Sequence, residues 1–166
     1  MITGKAIKVG DDISTDLIIS GRYKFAITDM RELSRHLFED LEEGFVRRIT
    51  PGKTILVAGK NFAMGSSREQ APLVIKEAGI VAVVAQSFAR IFYRNAFNIG
   101  LCLLEADTTK IRPGDNLAID LDKCILNDKT AGLTLTLGSV APILKTLLVD
   151  GGLVMHFKKH RGLRLM

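Results

Sequence analysis

The stretch Asn61-Phe62-Ala63-Met64-Gly65-Ser66-Ser67-Arg68-Glu69 decides the fold, because it separates two apolar runs of different kinds. The run before it, Thr54 to Gly59, is short and continuous, as in a strand that is buried on both faces of a sheet. The run after it, Ala71 to Ala78, has the length and pattern that predict a helix. The quoted stretch therefore marks a passage from strand to helix, with two hydroxyls and a guanidinium at the turn.

The same order of strand and helix continues along the chain. Residues 4–9 alternate as a first strand does, 80–85 form a second buried run, 87–98 show helical spacing behind Ser87 as N-cap, and 101–104 form a further strand. Short crossovers of this β-α-β-α-β kind make strands parallel and place helices on the sheet. We therefore predict an α/β fold with a mixed sheet flanked by helices.

The segments outside this core have weaker signals. Residues 20–26 show no period and are predicted as an extended, exposed loop, while 28–41 are predicted as a helix that ends near Gly44. In the last third, 116–120 and 133–137 alternate as a strand pair around the turn-rich residues 127–129, and 140–149 are predicted as a final helix.

Length and composition bound the class of protein. A chain of 166 residues with 47% hydrophobic content can bury one core, so we expect a single domain over residues 1–166. No apolar run approaches the roughly 18 to 20 residues of a membrane span, and the N-terminus lacks the apolar core of a signal peptide. We expect a cytoplasmic protein with no membrane partner.

The net charge of +5 does not predict nucleic-acid binding, because the densest basic cluster is the tail-like run from Lys158 to Arg164. An acidic ligand or partner fits this charge better. The two cysteines, Cys102 and Cys124, have no CxxC or histidine companion, so no metal ligand is predicted. Two thiols are also too few for an iron-sulfur cluster, which usually needs three or four.

Ser66, Ser67 and Arg68 are the candidate anion site. Ser66 to Glu69 also satisfies the S-x-x-E capping box, which is the alternative explanation for the serines. Pro72 weakens it, since a helix starting at Ser66 would place proline in its second turn. With the helix starting at residues 68–71 instead, the loop N–H groups and the Arg68 fork remain available for a carboxylate.

Other catalytic readings have less support. A serine hydrolase needs a histidine as base and a nucleophile-elbow motif. None of the three histidines, His36, His156 and His160, lies in the context of such a motif. Asp11 and Asp12 follow the first strand and are typical of a turn. Asp16 lies on a segment that could reach the same end of the sheet as Ser66, where it could orient a histidine or arginine supplied by another molecule, because the sequence identifies no such partner in this chain.

Two segments, residues 10–19 and 61–72, together resemble the small-subunit family of 3-isopropylmalate dehydratase, the detached swivelling domain of the aconitase superfamily. Residues 86–101 continue the resemblance, so it covers essentially the whole chain in order. The resemblance implies a swivelling β/β/α fold and a hydro-lyase that isomerises 2-isopropylmalate and 3-isopropylmalate in leucine biosynthesis. It also implies a 4Fe-4S cluster held by a separate large subunit, in a heterodimer or heterotetramer.

The resemblance implies a role for each matched residue. Ser66 would be the alkoxide base and Asp16 would support a histidine of the large subunit, both as catalytic residues. Ser67 and Arg68 would hold the substrate carboxylate and the developing negative charge. Gln70 departs from the family, which more often has histidine there.

Tyr23, Lys24, Phe25 and Ala26 fall where these enzymes recognise the substituent of the substrate. Phe25 and Ala26 suit an alkyl group, whereas Lys24 could bind an extra carboxylate. Small subunits of homoaconitase, methylmalate (citraconate) hydratase and 2,3-dimethylmalate hydratase therefore stay open as alternatives. A carboxylate- or phosphate-binding module without chemistry is the alternative of another class.

Overall fold

A mixed sheet lies at the centre of the protein, whose computed structural model describes residues 1–65 and 68–162. Its strands in the described residues are β1 (Ile2–Lys8), β2 (Thr54–Val57), β3 (Ile80–Ala85), β4 (Cys102–Glu105), β5 (Asn116–Asp120), β6 (Ile125–Asp128) and β7 (Leu133–Thr136). They are hydrogen-bonded in the order β4-β3-β2-β1-β5-β6-β7. The first four strands are parallel and the last three join them antiparallel.

The helices follow the predicted order around the parallel half. They are α1 (Thr15–Ile18), α2 (Gly21–Lys24), α3 (Met30–Leu33), α4 (Gln70–Glu77), α5 (Arg90–Asn98), α6 (Pro142–Asp150) and α7 (Leu153–His160), with 3₁₀ turns at Ser34–His36 and Phe45–Arg48. All four residues of β2 are buried, as a strand covered on both faces should be. The predicted β-α-β-α-β unit and mixed sheet are confirmed.

The prediction of a helix over residues 28–41 is wrong beyond its first turn, Met30–Leu33. Helix α3 ends at Leu33, and a 3₁₀ turn follows it. Phe38 then adopts a left-handed φ of 56°. Its N–H donates to the carbonyl of Ile18 at 3.0 Å rather than to a carbonyl one turn back, so a tertiary contact replaces the helix.

Three further predictions need correction. Residues 20–26 are not an extended loop, because Gly21–Lys24 form α2. Ser87 is not the N-cap of α5, which begins after Ala89. Residues 127–129 are not simply a turn between two strands: β6 runs through Asp128, and the turn follows, where Asp128 Oδ1 accepts the N–H groups of Thr130 and Ala131 at 2.9 Å each.

The basic run predicted as tail-like begins within a helix, with Lys158 to His160 in α7, while Leu163 and Arg164 lie outside the described residues. Asp150, at the end of α6, contacts α7 through Lys159, His156 and His160. These hydrogen bonds, that from Lys159 above all, hold the pKa of Asp150 far below its usual value.

Among the described residues no helix is both long and apolar enough to cross a membrane.

Candidate functional site

Three loops that leave the carboxyl ends of β1, β2 and β3 lie side by side and form the candidate site. An isolated bridge pairs Ser14, after β1, with Met64, after β2. A second bridge pairs Phe62 with Phe88, which follows β3. The carboxyl ends of parallel strands are where open α/β sheets bind their ligands.

The middle loop is held in an unusual backbone conformation. Asn61 and Ala63 have φ values of 56° and 63°, which cost a residue with a Cβ atom about 1–2 kcal/mol each. The neighbouring loops hold Asn61 in place: its backbone N–H donates to Ser87 Oγ at 2.8 Å, and its side-chain amide donates to Asp12 Oδ1 at 2.9 Å. Such strain, fixed by its surroundings, is typical of a functional site.

Helix α4 begins beyond the two serines, as Pro72 predicted. Its N-cap is Glu69 and its first residue is Gln70, so Pro72 falls in the first turn, where its missing N–H costs little. Gly65, with a φ of 94°, ends the described part of the loop. Ser66 and Ser67 lie outside the described residues, and their roles stay predictions.

Arg68 and Asp16, predicted separately, form an ion pair. The Arg68 side chain is 13% exposed and that of Asp16 is 62% exposed. A second nitrogen of the guanidinium, Nη1, donates to the carbonyl of Ile19 at 2.6 Å. Arg68 is therefore fixed between α1 and the segment that leads into α2.

A cavity of about 310 Å³ opens beside Arg68. It is lined by Thr15, Ala63, Gly65, Arg68, Ala89, Arg90, Ile91, Phe92 and Asn95. Its volume is at the small end of the range for small-molecule sites, about 300–1,000 Å³. Arg68 and Arg90 are among the lining residues, and the N–H groups of the first turn of α5 have no acceptor within the helix, so the cavity suits a small anion.

Arg90 and Asn95 were not singled out from the sequence. They lie on α5, more than one helical turn apart, and both line the cavity. The available signal was their position: α5 follows β3 as α4 follows β2, so its first turn reaches the same edge of the sheet.

The four residues predicted to recognise the substituent do not line this cavity in the described structure; they lie on and just after α2. Tyr23 stacks on His36 with ring centroids 3.9 Å apart, and Lys24 Nζ lies 5.5 Å from the Phe25 ring centroid. Phe25 is 83% exposed, and Ala26 is exposed too. Phe25 and Ala26 are therefore open to a partner, whereas Tyr23 and Lys24 are half-buried, and the role of all four in recognition stays a prediction.

The chain is similar to known proteins over most of its length. Residues 15–109 match the family model of the aconitase C-terminal domain. The chain is 48% identical to 3-isopropylmalate dehydratase small subunit 2 of Archaeoglobus fulgidus, over 99% of each chain. It is 44% identical to the methanogen homoaconitase small subunit of Methanocaldococcus jannaschii, over 97% of this chain and 94% of that one.

A solved structure gives the same result for the fold. The crystal structure of a 3-isopropylmalate dehydratase from Methanocaldococcus jannaschii matches with a TM-score of 0.91 and 44% identity, over 96% of this chain and 95% of that one. The chain therefore belongs to the aconitase C-terminal domain family. Within that family it falls among the small subunits of the 3-isopropylmalate dehydratase type, and the predicted family and fold class are confirmed.

Proposed function

We propose that the chain is the cytoplasmic small subunit of a hydro-lyase that interconverts 2-isopropylmalate and 3-isopropylmalate by dehydration and rehydration. The observation that carries the proposal is the cavity at the carboxyl ends of the parallel strands, lined by Arg68 and Arg90 and bordered by Gly65 of the Gly-Ser-Ser-Arg-Glu motif. A small dianion fits its size and charge. The relative from Archaeoglobus fulgidus, which is 48% identical, is named a small subunit of this enzyme.

The chain supplies the base and the carboxylate-binding groups. In the dehydration, the alkoxide of Ser66 takes the carbon-bound proton, a carbon-carbon double bond forms as the carbon-oxygen bond breaks, and the departing hydroxyl takes a second proton from an acid that we assign to the large subunit and leaves as water. Ser67 and Arg68 hold a substrate carboxylate and the negative charge that develops on it. The fixed guanidinium of Arg68 presents a planar fork that matches the carboxylate.

The residues of this chain do not fit the 4Fe-4S cluster of aconitase-family enzymes. Cys102 is buried in β4, and the thiol of the half-buried Cys124 donates a hydrogen bond to the carbonyl of Leu121. We assign the cluster to a large subunit, in a heterodimer or heterotetramer. When bound there, it supplies a Lewis acid for the departing hydroxyl.

The substituent of the substrate is the second part of the proposal. The exposed ring of Phe25 and the methyl group of Ala26 favour an alkyl substituent, which suits isopropylmalate. Homoaconitate is the second candidate, because Lys24 could hold an additional carboxylate and a homoaconitase small subunit is 44% identical.

A substrate panel tests this proposal. The chain is co-expressed with a large subunit that carries a C…CxxC cluster motif, and the reconstituted enzyme is assayed with 3-isopropylmalate, methylmalate, 2,3-dimethylmalate and homocitrate. We expect the highest kcat/KM with 3-isopropylmalate. A preference for homocitrate would assign the chain to the homoaconitases, and no turnover of any of the four in an assembled complex would refute a hydro-lyase of this group.

A further inference from the structure

Two imidazoles and a carboxylate converge where α6 meets α7. We call Asp150, His156 and His160 the C-terminal cluster. Oδ2 of Asp150 lies 2.7 Å from Nδ1 of His156 and 3.0 Å from Nε2 of His160. One donor atom from each residue lies within 4.8 Å of the other two. None of the three residues lines the cavity beside Arg68.

The backbone fixes this convergence. His156 and His160 are four residues apart on α7, so their side chains lie on the same face of the helix. Asp150 reaches that face because Gly151 and Gly152 reverse the chain with φ values of 85° and 115°. A Cβ atom on Gly152 would lie 2.6 Å from the carbonyl oxygen of Asn98, so the turn is also packed tightly against the end of α5.

The side chains of the C-terminal cluster are largely buried. The side chains of His156 and Asp150 are 1% and 2% exposed, while His160 is 21% exposed. Nε2 of His156 is buried with no hydrogen-bond partner among the described residues. Within the described part of the chain, the only hydrogen bond of this imidazole is therefore the one that Nδ1 makes with Asp150.

We propose that the C-terminal cluster is a binding site for one divalent transition-metal ion of the zinc type. Imidazole nitrogen and carboxylate oxygen are the donors that such ions take, and three protein ligands plus water form a common tetrahedral set. Bonds of about 2.0–2.1 Å place neighbouring ligand atoms of a tetrahedral ion about 3.3 Å apart. The separations of 2.7 and 3.0 Å from Asp150 Oδ2 need to widen by a few tenths of an ångström, and the two imidazole nitrogens, which lie within 4.8 Å of each other, need to come to the same spacing. The partly exposed His160 leaves a side from which the ion and a water can enter.

Lys159 occupies the place of a competing cation. Its ammonium lies 2.5 Å from Oδ1 of Asp150, and its side chain is 61% exposed. Because the side chain is free to turn into solvent, the ammonium can leave when a metal ion binds the carboxylate. Removing this ammonium therefore strengthens metal binding.

Calorimetric titration of the full-length chain with ZnCl₂ tests the proposal, after chelator treatment and with any affinity tag removed. We expect one saturable site, and for Co²⁺ an intense visible absorption typical of tetrahedral coordination. His160→Gln should weaken Zn²⁺ binding at least about tenfold. Lys159→Met should tighten it, and His36→Gln, which removes an imidazole that stacks on Tyr23 away from the cluster, should leave it unchanged.

Two results would overturn the site. One is the absence of saturable Zn²⁺ binding in the wild-type chain. The other is an equal loss of affinity in His160→Gln and His36→Gln, which would place the ion elsewhere. His160 is partly exposed, so its variant should keep the fold, and circular dichroism checks this. Binding is measured on the chain alone, so the result does not depend on the proposed hydro-lyase activity.

Discussion

Arg68 and Asp16 form an ion pair in which the arginine is largely buried and the carboxylate is largely exposed. The Arg68 side chain is 13% exposed, whereas that of Asp16 is 62% exposed. A pair with one solvated partner is weak, worth about 0–1 kcal/mol. The carboxylate of a ligand can therefore replace Asp16 without a large loss of interaction free energy. Asp16 and the ligand thus compete for the guanidinium of Arg68.

Asp16→Asn should strengthen the binding of a small dicarboxylate to the isolated chain. Without the competing carboxylate, we expect the affinity for malonate to rise about two- to fivefold. Isothermal titration at low salt measures it. Asp40→Asn is the matched control, since it removes the same charge from another arginine pair, that with Arg22. If both variants bind malonate alike, Asp16 does not compete for Arg68.

Arg68→Lys should impair the reconstituted two-subunit enzyme. An ammonium is a single point charge and cannot replace a planar fork that meets a carboxylate and the Ile19 carbonyl together. We expect a higher KM and a lower kcat in steady-state assays. Unchanged values of both constants would mean that Arg68 faces away from the bound substrate.

Ser66→Ala tests the proposed alkoxide base. Loss of a group that accepts the proton in the transition state should lower kcat by roughly 10²- to 10⁴-fold. Assembly with the large subunit and the affinity for a substrate analogue should stay close to wild type. Ser67→Ala is the comparison, and we expect it to affect KM more than Ser66→Ala does. Near-normal turnover of Ser66→Ala would remove the base role.

Arg90→Gln tests the second cationic group of the cavity. Because Arg90 lines the cavity, its loss should raise the KM for the substrate. Arg94→Gln is a matched control: Arg94 lies four residues later on the same helix, is also exposed, and does not line that cavity. Steady-state kinetics of the two variants in the reconstituted enzyme should separate them, and equal KM values would argue against Arg90.

Cys102 makes the stability of the chain depend on pH in the alkaline range. Burial raises the pKa of its thiol from 9.0 to about 12, so the folded state holds this proton more tightly than the unfolded state does. Its contribution is complete below pH 9 and is lost as the pH rises from 9 towards 12. The slope for one group is at most about 1.4 kcal/mol per pH unit.

Urea unfolding between pH 8 and 11 measures this slope. Cys102→Ala should be less stable at pH 8 because it leaves a small cavity, but its free energy of unfolding should fall less steeply above pH 9. Cys124→Ala, which removes the half-buried thiol, serves as control. Parallel curves for wild type and Cys102→Ala would show that this thiol does not set the dependence.

The parallel half of the fold was predictable because its strands are continuous apolar runs. Thr54 to Val57 and Ile80 to Ala85 are buried on both faces, so hydrophobicity alone locates them. Pro72 likewise located the start of α4, because proline is tolerated only near the beginning of a helix.

Three of the corrected elements depend on contacts outside their own segment. The N–H of Phe38 bonds the carbonyl of Ile18, and Ser87 Oγ accepts the N–H of Asn61 instead of capping α5. In β6, Asn127 and Asp128 are residues typical of turns, yet they pair with β5 and β7. Local pattern does not contain such contacts, so residue spacing could not reveal them.

For the candidate site, only the location of residues was predictable, and their roles stay predictions. Arg68 and Asp16 were placed at one end of the sheet from the order of strands and loops, and they meet there. Their pairing with each other and the presence of Arg90 depend on how α1 and α5 pack. His156 had no sequence signal for full burial, because its partner Asp150 precedes a double-glycine turn whose geometry only the fold defines.

The turn after β6 has a practical consequence. It is closed by Asp128, its residues 129–132 are exposed, and it belongs to the antiparallel half of the sheet, whereas the cavity is built from residues 15–95. The molecule thus keeps its ligand chemistry in one stretch of chain and offers an attachment point in another. A fluorescent label or an immobilisation tag inserted between Ala131 and Gly132 would report on the protein without entering the cavity.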